Sequence, residues 1–252
     1  MPFLGCVTGI PCIWGGKDML SPYERKKMSS FTKSLLHGSD LKRYEELYGI
    51  YAAGGYTKEL CEHYADEFIT NVKKPMAEDI VQLASLYDRL HDNKTAGYYL
   101  DMLSDRKLGG EERLGYCIEV LKTVSKLGNW RDAEDFRTAN INFMQTFGSK
   151  RPPQRQAELY MALALADNAG QHYNDAFKLL RFGYKPNGRN DTTLLEILIT
   201  GVYIFACSGD KDGLEAAVDN TYNCFKLFNE FEFSWSKSYY EQRIEEAANG
   251  IL

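Results

Sequence analysis

The chain is poor in the side chains from which most catalytic and metal centres are built. Its 252 residues hold four histidines, His37, His63, His91 and His172. No Glu-x-x-His pair is present to supply a metal site within a helical bundle. Six cysteines in a chain of this length are too few for a disulfide framework. Cys6 and Cys12 lack the paired spacing of a zinc site, and no metal ligand set is read here. There is no phosphate-binding P-loop and no dinucleotide fingerprint; the glycines between Gly5 and Gly16 have neither the spacing nor the strand context. Cys61 and His63 stand two apart on a helical pattern, so they point to different faces and do not form a nucleophile–base pair. These absences lead to the expectation of a non-enzymatic protein without a cofactor.

Two further absences narrow the class. No apolar run approaches the length of a transmembrane helix, so membrane insertion is not expected. No excess of positive charge exists: the formal net charge is -5, which gives no reason to expect nucleic acid as the main ligand. The apolar start, Met1–Gly16, has no basic region ahead of it and is interrupted by Pro2, Pro11 and glycines. It reads as an extended arm over residues 1–20 rather than a signal peptide. The arm either caps the first helices or occupies a groove or partner. Cys61, Cys117, Cys207 and Cys224 each fall in a helical apolar pattern, as small buried hydrophobes in a reducing, cytoplasmic compartment.

What is present is helical periodicity over most of the chain. The hydrophobic fraction of 44% and charged fraction of 26% are those of a soluble globular protein. In Asp79–Leu103, Ile80, Leu83, Ala84, Tyr87 and Leu90 recur at helical spacing. The turn His91-Asp92-Asn93 follows, and Ala96, Leu100 and Leu103 make a second stripe. Weaker copies lie on both sides. An earlier hairpin spans about 40–71, after a helix opened by Ser21, Pro22 and Glu24. A third follows Gly109-Gly110 and turns at Leu127–Ala133. A fourth starts near Pro153 and turns at Gly170–Ala176. A fifth runs from Asp191 and turns at Cys207–Asp212, and residues 234–249 form a last amphipathic helix that caps the array. The reading is a single helical-repeat domain over 21–252, all-α, of about a dozen helices with one continuous core.

Ala96, Ala133, Ala176 and Leu214 recur at intervals of roughly 40 residues, the range of two-helix repeats. The turns resemble those of the tetratricopeptide repeat: a glycine, a short polar pair, an aromatic residue, then a small residue opening the second helix. Gly128, Trp130 and Ala133 carry the pattern, as do Gly170, Tyr173 and Ala176 with one extra residue. Ala84, Tyr87, Ala96 and Leu103 match at several positions. The resemblance covers about Asp40–Phe228. It implies a right-handed α-α superhelix of about five antiparallel hairpins. It also implies that the first helix of each hairpin lines a concave face that takes an extended peptide or a partner helix.

Projected onto this chain, that face includes Tyr44, Tyr48, Tyr51, Ser85, Asp88, Arg89, Lys122, Ser125, Lys126, Tyr160, Asp167, Asn168 and Tyr203. The partner-binding set expected from it is Tyr48, Arg89, Lys122, Lys126, Tyr160, Asn168 and Tyr203. Arg89, Lys122 and Lys126 read as a local basic stripe on an acidic body, which would steer an acidic protein segment to that wall. The competing reading pairs these cations with Asp88 or Glu119. As exposed charges, Lys122 and Lys126 would contribute little to stability. Two functions from different classes fit: an adaptor or scaffold binding a peptide or partner protein, and a structural subunit of a permanent assembly. An enzyme with an unrecognised site is a minor third.

Overall fold

A computed structural model describes residues 76–89, 91–184, 192–227 and 236–252. The arm over 1–20, the helix from Ser21, the hairpin over 40–71 with Tyr48, and Leu90 lie outside the described residues.

Every element among the described residues is an α-helix. In chain order they are α1 (Ala77–Arg89), α2 (Asn93–Asp101), α3 (Gly110–Lys126), α4 (Trp130–Gly148), α5 (Pro153–Ala169), α6 (Tyr173–Gly183), α7 (Thr192–Ser208), α8 (Lys211–Lys226) and α9 (Ser236–Ala248). Helices α1, α3, α5, α7 and α9 touch in series. Each of α2, α4, α6 and α8 packs on the helix before it and the helix after it. None of the described helices is long and apolar enough to cross a membrane.

Four of the interhelical turns share one backbone solution. His91, Gly128, Gln171 and Gly209 take φ values of 58, 72, 61 and 74°. At the first three, the residue's N–H donates to the carbonyl three residues back, and the next N–H donates five back. Asp92 reaches Tyr87 at 2.9 Å, Asn129 reaches Val124 at 3.4 Å and His172 reaches Asp167 at 2.8 Å. This closes the last carbonyls of each helix in a Schellman motif. The following residue caps the next helix: Asp92 accepts from the N–H of Thr95 at 3.2 Å, and Asp210 from that of Gly213 at 3.0 Å. His91 and His172 are thus turn residues. Two of the four left-handed positions are filled by side chains that strain them, and two by glycine. Gln171→Gly is therefore expected to raise stability by about 0.5–1 kcal/mol and Gly209→Ala to lower it by about 1 kcal/mol. Urea midpoints of the two variants check both signs.

Four residues beyond each cap, the N–H groups of Ala96, Ala133, Ala176 and Leu214 bond the carbonyls of Asp92, Asn129, His172 and Asp210. The three alanines are fully buried and Leu214 is half-buried. The absence of a longer side chain lets the backbones of neighbouring helices come close at these points.

The core is a series of apolar clusters. One joins α1 and α2 through Ile80, Leu83, Tyr87 and Leu100. The next lies among α3, α4 and α5, around Ile118, Leu121, Met144 and Leu163. Ala164, Leu180, Ile197 and Ile204 join α5, α6 and α7, and Ile199, Val202, Phe225 and Ile244 join α7, α8 and α9. Val124 and Phe136 border the first two clusters, Leu179 the second and third, and Tyr203 the last two. Helix α5 contacts α3, α4, α6 and α7. It is buried on almost every side from Ala157 to Asn168, as its alanine- and leucine-rich sequence requires.

Cys117 is buried as expected, but Cys207 is exposed and Cys224 only half-buried. Position 207 closes α7 at the turn into α8, where the apolar stripe has already run out.

Candidate functional site

A cavity of about 590 Å3 opens along one face of α1, α3, α5, α7 and α9. The face follows from helical spacing. On α3, Glu111, Gly115, Glu119, Lys122 and Lys126 succeed one another at steps of three or four and line the cavity. Leu114, Cys117, Ile118 and Leu121 lie on the other side of the same helix and are buried in the core. Helix α1 does likewise, with Glu78, Val81, Ser85 and Asp88 toward the cavity and Ile80, Leu83, Ala84 and Tyr87 toward the core. Helix α5 contributes Arg155, Glu158, Met161 and Leu165; α7 contributes Thr193, Glu196 and Thr200; α9 contributes Tyr240 and Arg243.

The polar side chains on this wall are tied together across helices. Lys126 Nζ lies 2.7 Å from Asp88 Oδ2, joining α3 to α1, and both side chains are under 10% exposed. Lys122 Nζ lies 2.9 Å from Glu119 Oε1. Arg155 on α5 reaches Glu111 on α3 at 2.9 Å and its neighbour Glu158 at 2.5 Å. Gly115 makes room for it: a Cβ there would stand 2.8 Å from the Arg155 guanidinium. Arg243 on α9 meets Glu196 on α7 at 3.3 Å. His91 Nε2, in the α1–α2 turn, lies 3.5 Å from Glu246 Oε2 on α9, so the first and last described helical segments meet at one end.

The two lysines respond differently to the same wall. Burial pulls the Lys122 ammonium down, but Glu119, Glu158 and Asp88 outweigh it and hold the group above its ordinary value. Burial of Lys126 prevails over Asp88, and with Arg243 and Lys122 adding repulsion its pKa falls below the ordinary value. Asp88 spends only one oxygen on Lys126, and Glu119 only one on Lys122. Among the described residues Asp88 Oδ1 and Glu119 Oε2 are buried without a hydrogen-bond partner. A buried acceptor left in this state costs about 1–3 kcal/mol.

Among the described residues seven carboxylates and four cations line the cavity: Glu78, Asp88, Glu111, Glu112, Glu119, Glu158 and Glu196 against Lys122, Lys126, Arg155 and Arg243. This corrects the expectation of a basic stripe. Lys122 and Lys126 do lie on the wall, but each is matched by a carboxylate, Glu119 and Asp88, as the competing reading has it, and the described part of the wall carries more carboxylates than cations.

The described members of the expected partner-binding set are not gathered in one place. Lys122 and Lys126 line the cavity. Arg89 ends α1, and its side chain, like all of Tyr48, lies outside the described residues. Tyr160 lines a second cavity, of about 730 Å3, beside α4 and α6, with its ring 5.9 Å from that of Phe182. Asn168 is buried on α5, and its Oδ1 has no partner among the described residues. Tyr203 packs between the last two core clusters, where burial and Cys207 raise its pKa. Tyr160 and Asn168 share a cause. Helix α5 is covered on nearly all sides, so its polar residues do not mark one wet face. Glu158 and Glu196 carry no sequence signal of their own, because charges along a helix pattern look like a solvated face.

The arrangement is suited to holding polar and charged groups. A nucleophile is not prepared at the buried cysteine: burial, opposed by Arg113, pushes the Cys117 thiol up to about 11. Among the described residues no group of His, Cys, Asp and Glu is placed to hold a metal ion.

No family model, no curated protein and no solved structure matches the chain.

Proposed function

We propose that the chain is a non-enzymatic protein-interaction scaffold that binds an extended segment of a partner protein along α1, α3, α5, α7 and α9. The observation that carries this reading is the cavity itself, built from the same face of every second helix and lined by paired charges, threonines and Tyr240. A surface of this kind offers many hydrogen-bonding groups along a path and fits a peptide better than a compact substrate. The shared turn geometry and the serial packing of the helices support an α-solenoid of the tetratricopeptide type, with a right-handed superhelical path over the single domain 21–252. The free thiols of Cys117, Cys207 and Cys224 fit a reducing, cytoplasmic setting.

A photo-crosslinking amino acid in place of Ser85, on the cavity wall, is expected to trap the partner in its native cell. The same group in place of Asp219, exposed on α8, is expected to trap none. Trapping at position 219 and not at 85 would overturn the reading.

A structural subunit of a permanent assembly is the second reading. Exposed Tyr98, Phe182 and Leu227, each more than 60% accessible, and the apolar second cavity beside Phe182 favour it. In that case the chain would aggregate when expressed alone and co-purify with fixed stoichiometry through high salt.

A further inference from the structure

We infer that the groove between α4 and α6 is the docking surface for a second copy of this chain, in a two-fold dimer that leaves the first cavity of each copy open. Helices α4 and α6 both pack on α5 and have little contact with each other, so α5 floors the second cavity, of about 730 Å3. Ile141, Tyr160 and Leu179 line it half-buried, and Phe182 stands 61% exposed at its rim. The two cavities lie on opposite sides of α5. Arg155, Glu158 and Leu165 face the first, and Gln156, Tyr160 and Leu163 face the second. Docking over the second therefore does not obstruct the first.

Shape and charge both fit this face to a copy of itself. An isologous interface places the same patch on both subunits. This patch carries a projecting aromatic ring, Phe182, and an apolar groove beside it, so each copy presents what the other receives. The ionisable side chains of α4 are Asp132, Glu134 and Asp135 against Arg131 and Arg137. Those of α6 are Lys178 and Arg181 against Asp175. The two rims thus differ in sign, negative on α4 and positive on α6. A two-fold axis along the groove lays α4 of one copy on α6 of the other, at the same height. Asp135 and Lys178 stand two residues beyond Ala133 and Ala176, which hold equivalent places in their helices, so this axis brings them face to face. Lys178 already pairs with Asp175 at 2.6 Å, but both side chains are more than 60% exposed, so that pair is worth little and yields readily. Helix α4 has 19 residues and α6 has 11, about 28 and 16 Å of helix side by side. Such a face is on the order of the roughly 800 Å2 that each partner buries in a stable interface.

The full chain is expected to sediment as a dimer at tens of micromolar protein in equilibrium ultracentrifugation. Phe182→Glu and Lys178→Glu should each raise the dimer dissociation constant at least tenfold. Both side chains are exposed, so circular dichroism should show the parent's helix content and melting. Asp135→Lys added to Lys178→Glu reverses both sides of the contact and should bring the dissociation constant back toward that of the parent. Leu227→Glu, as exposed as Phe182 but at the end of α8, is the control and should leave the dimer intact. A photo-crosslinking amino acid in place of Phe182 should join two copies of the chain. A parent that stays monomeric, a dimer that Phe182→Glu leaves as tight as before or no recovery in the double variant would overturn the inference. Cross-linking from position 182 to a different protein, or within one copy to residues 1–75, would overturn it too, by naming another occupant of the groove. The dimer stands apart from the scaffold reading. A monomeric chain that still traps its partner at position 85 would sink the first alone, and a dimer that traps a partner only at position 219 would sink the second alone.

Discussion

Lys126→Met is expected to lower the melting temperature by roughly 6–20 °C, a loss of about 3–5 kcal/mol. Asp88 is left behind as a buried charge whose one bonded oxygen has lost its partner. Neither side chain of this pair is more than 9% exposed, so water cannot take the place of the ammonium. The pair also joins α3 to α1 across the cavity, so its loss loosens a helix contact as well as an electrostatic one. Because the penalty belongs to the unpaired charge, Asp88→Leu added to Lys126→Met should restore most of the stability. Thermal unfolding followed by circular dichroism on the single and double variants measures both. A single variant that melts within about 2 °C of the parent would show that Asp88 is solvated after all. Read as an exposed charge, Lys126 would have tolerated reversal; in the folded chain its reversal places two carboxylates against each other.

Leu121→Ala is expected to cost about 2–5 kcal/mol and to move the urea midpoint accordingly. Leu121 is fully buried, in the cluster that holds Leu114, Ile118, Ala133, Met144 and Leu163 from three helices. Truncation removes the transfer free energy of the lost methyl groups and leaves a void that α3, α4 and α5 cannot all close upon. Leu227→Ala is the control. That residue ends α8 and is 63% exposed, so its truncation should stay within about 0.5 kcal/mol. If the two leucines respond alike, the cluster among α3, α4 and α5 is not the close-packed core described above.

The helices and turns were legible because their signals are local. Ile80, Leu83, Ala84 and Tyr87 repeat at 3.6 residues, and all four are buried. The pattern puts Asp92 in the turn before α2, and there it caps the helix. Ala96, Ala133 and Ala176 were aligned from sequence and occupy the same position in the first turn of their helices. Gln171 was the harder case: nothing in a glutamine announces a positive φ, and only the closing hydrogen bonds of the helix before it hold it there.

The sequence by itself determined that the described segments fold as helices, where most of them begin and end, and which stripe of α1 and of α3 enters the core. Each of these depends on residues within a few positions of one another, so composition and spacing suffice. Only the tertiary structure decided the character of the cavity. Asp88 and Lys126 are 38 positions apart in the chain and in hydrogen-bond contact in space. Arg155 and Glu111 are 44 apart, and Arg243 and Glu196 are 47 apart. The sign of a charge says nothing about whether a partner of opposite sign will be folded against it. An isolated lysine and a neutralised one are written with the same letter, and the difference between a basic stripe and a wall of paired charges lay in which helix was brought beside which.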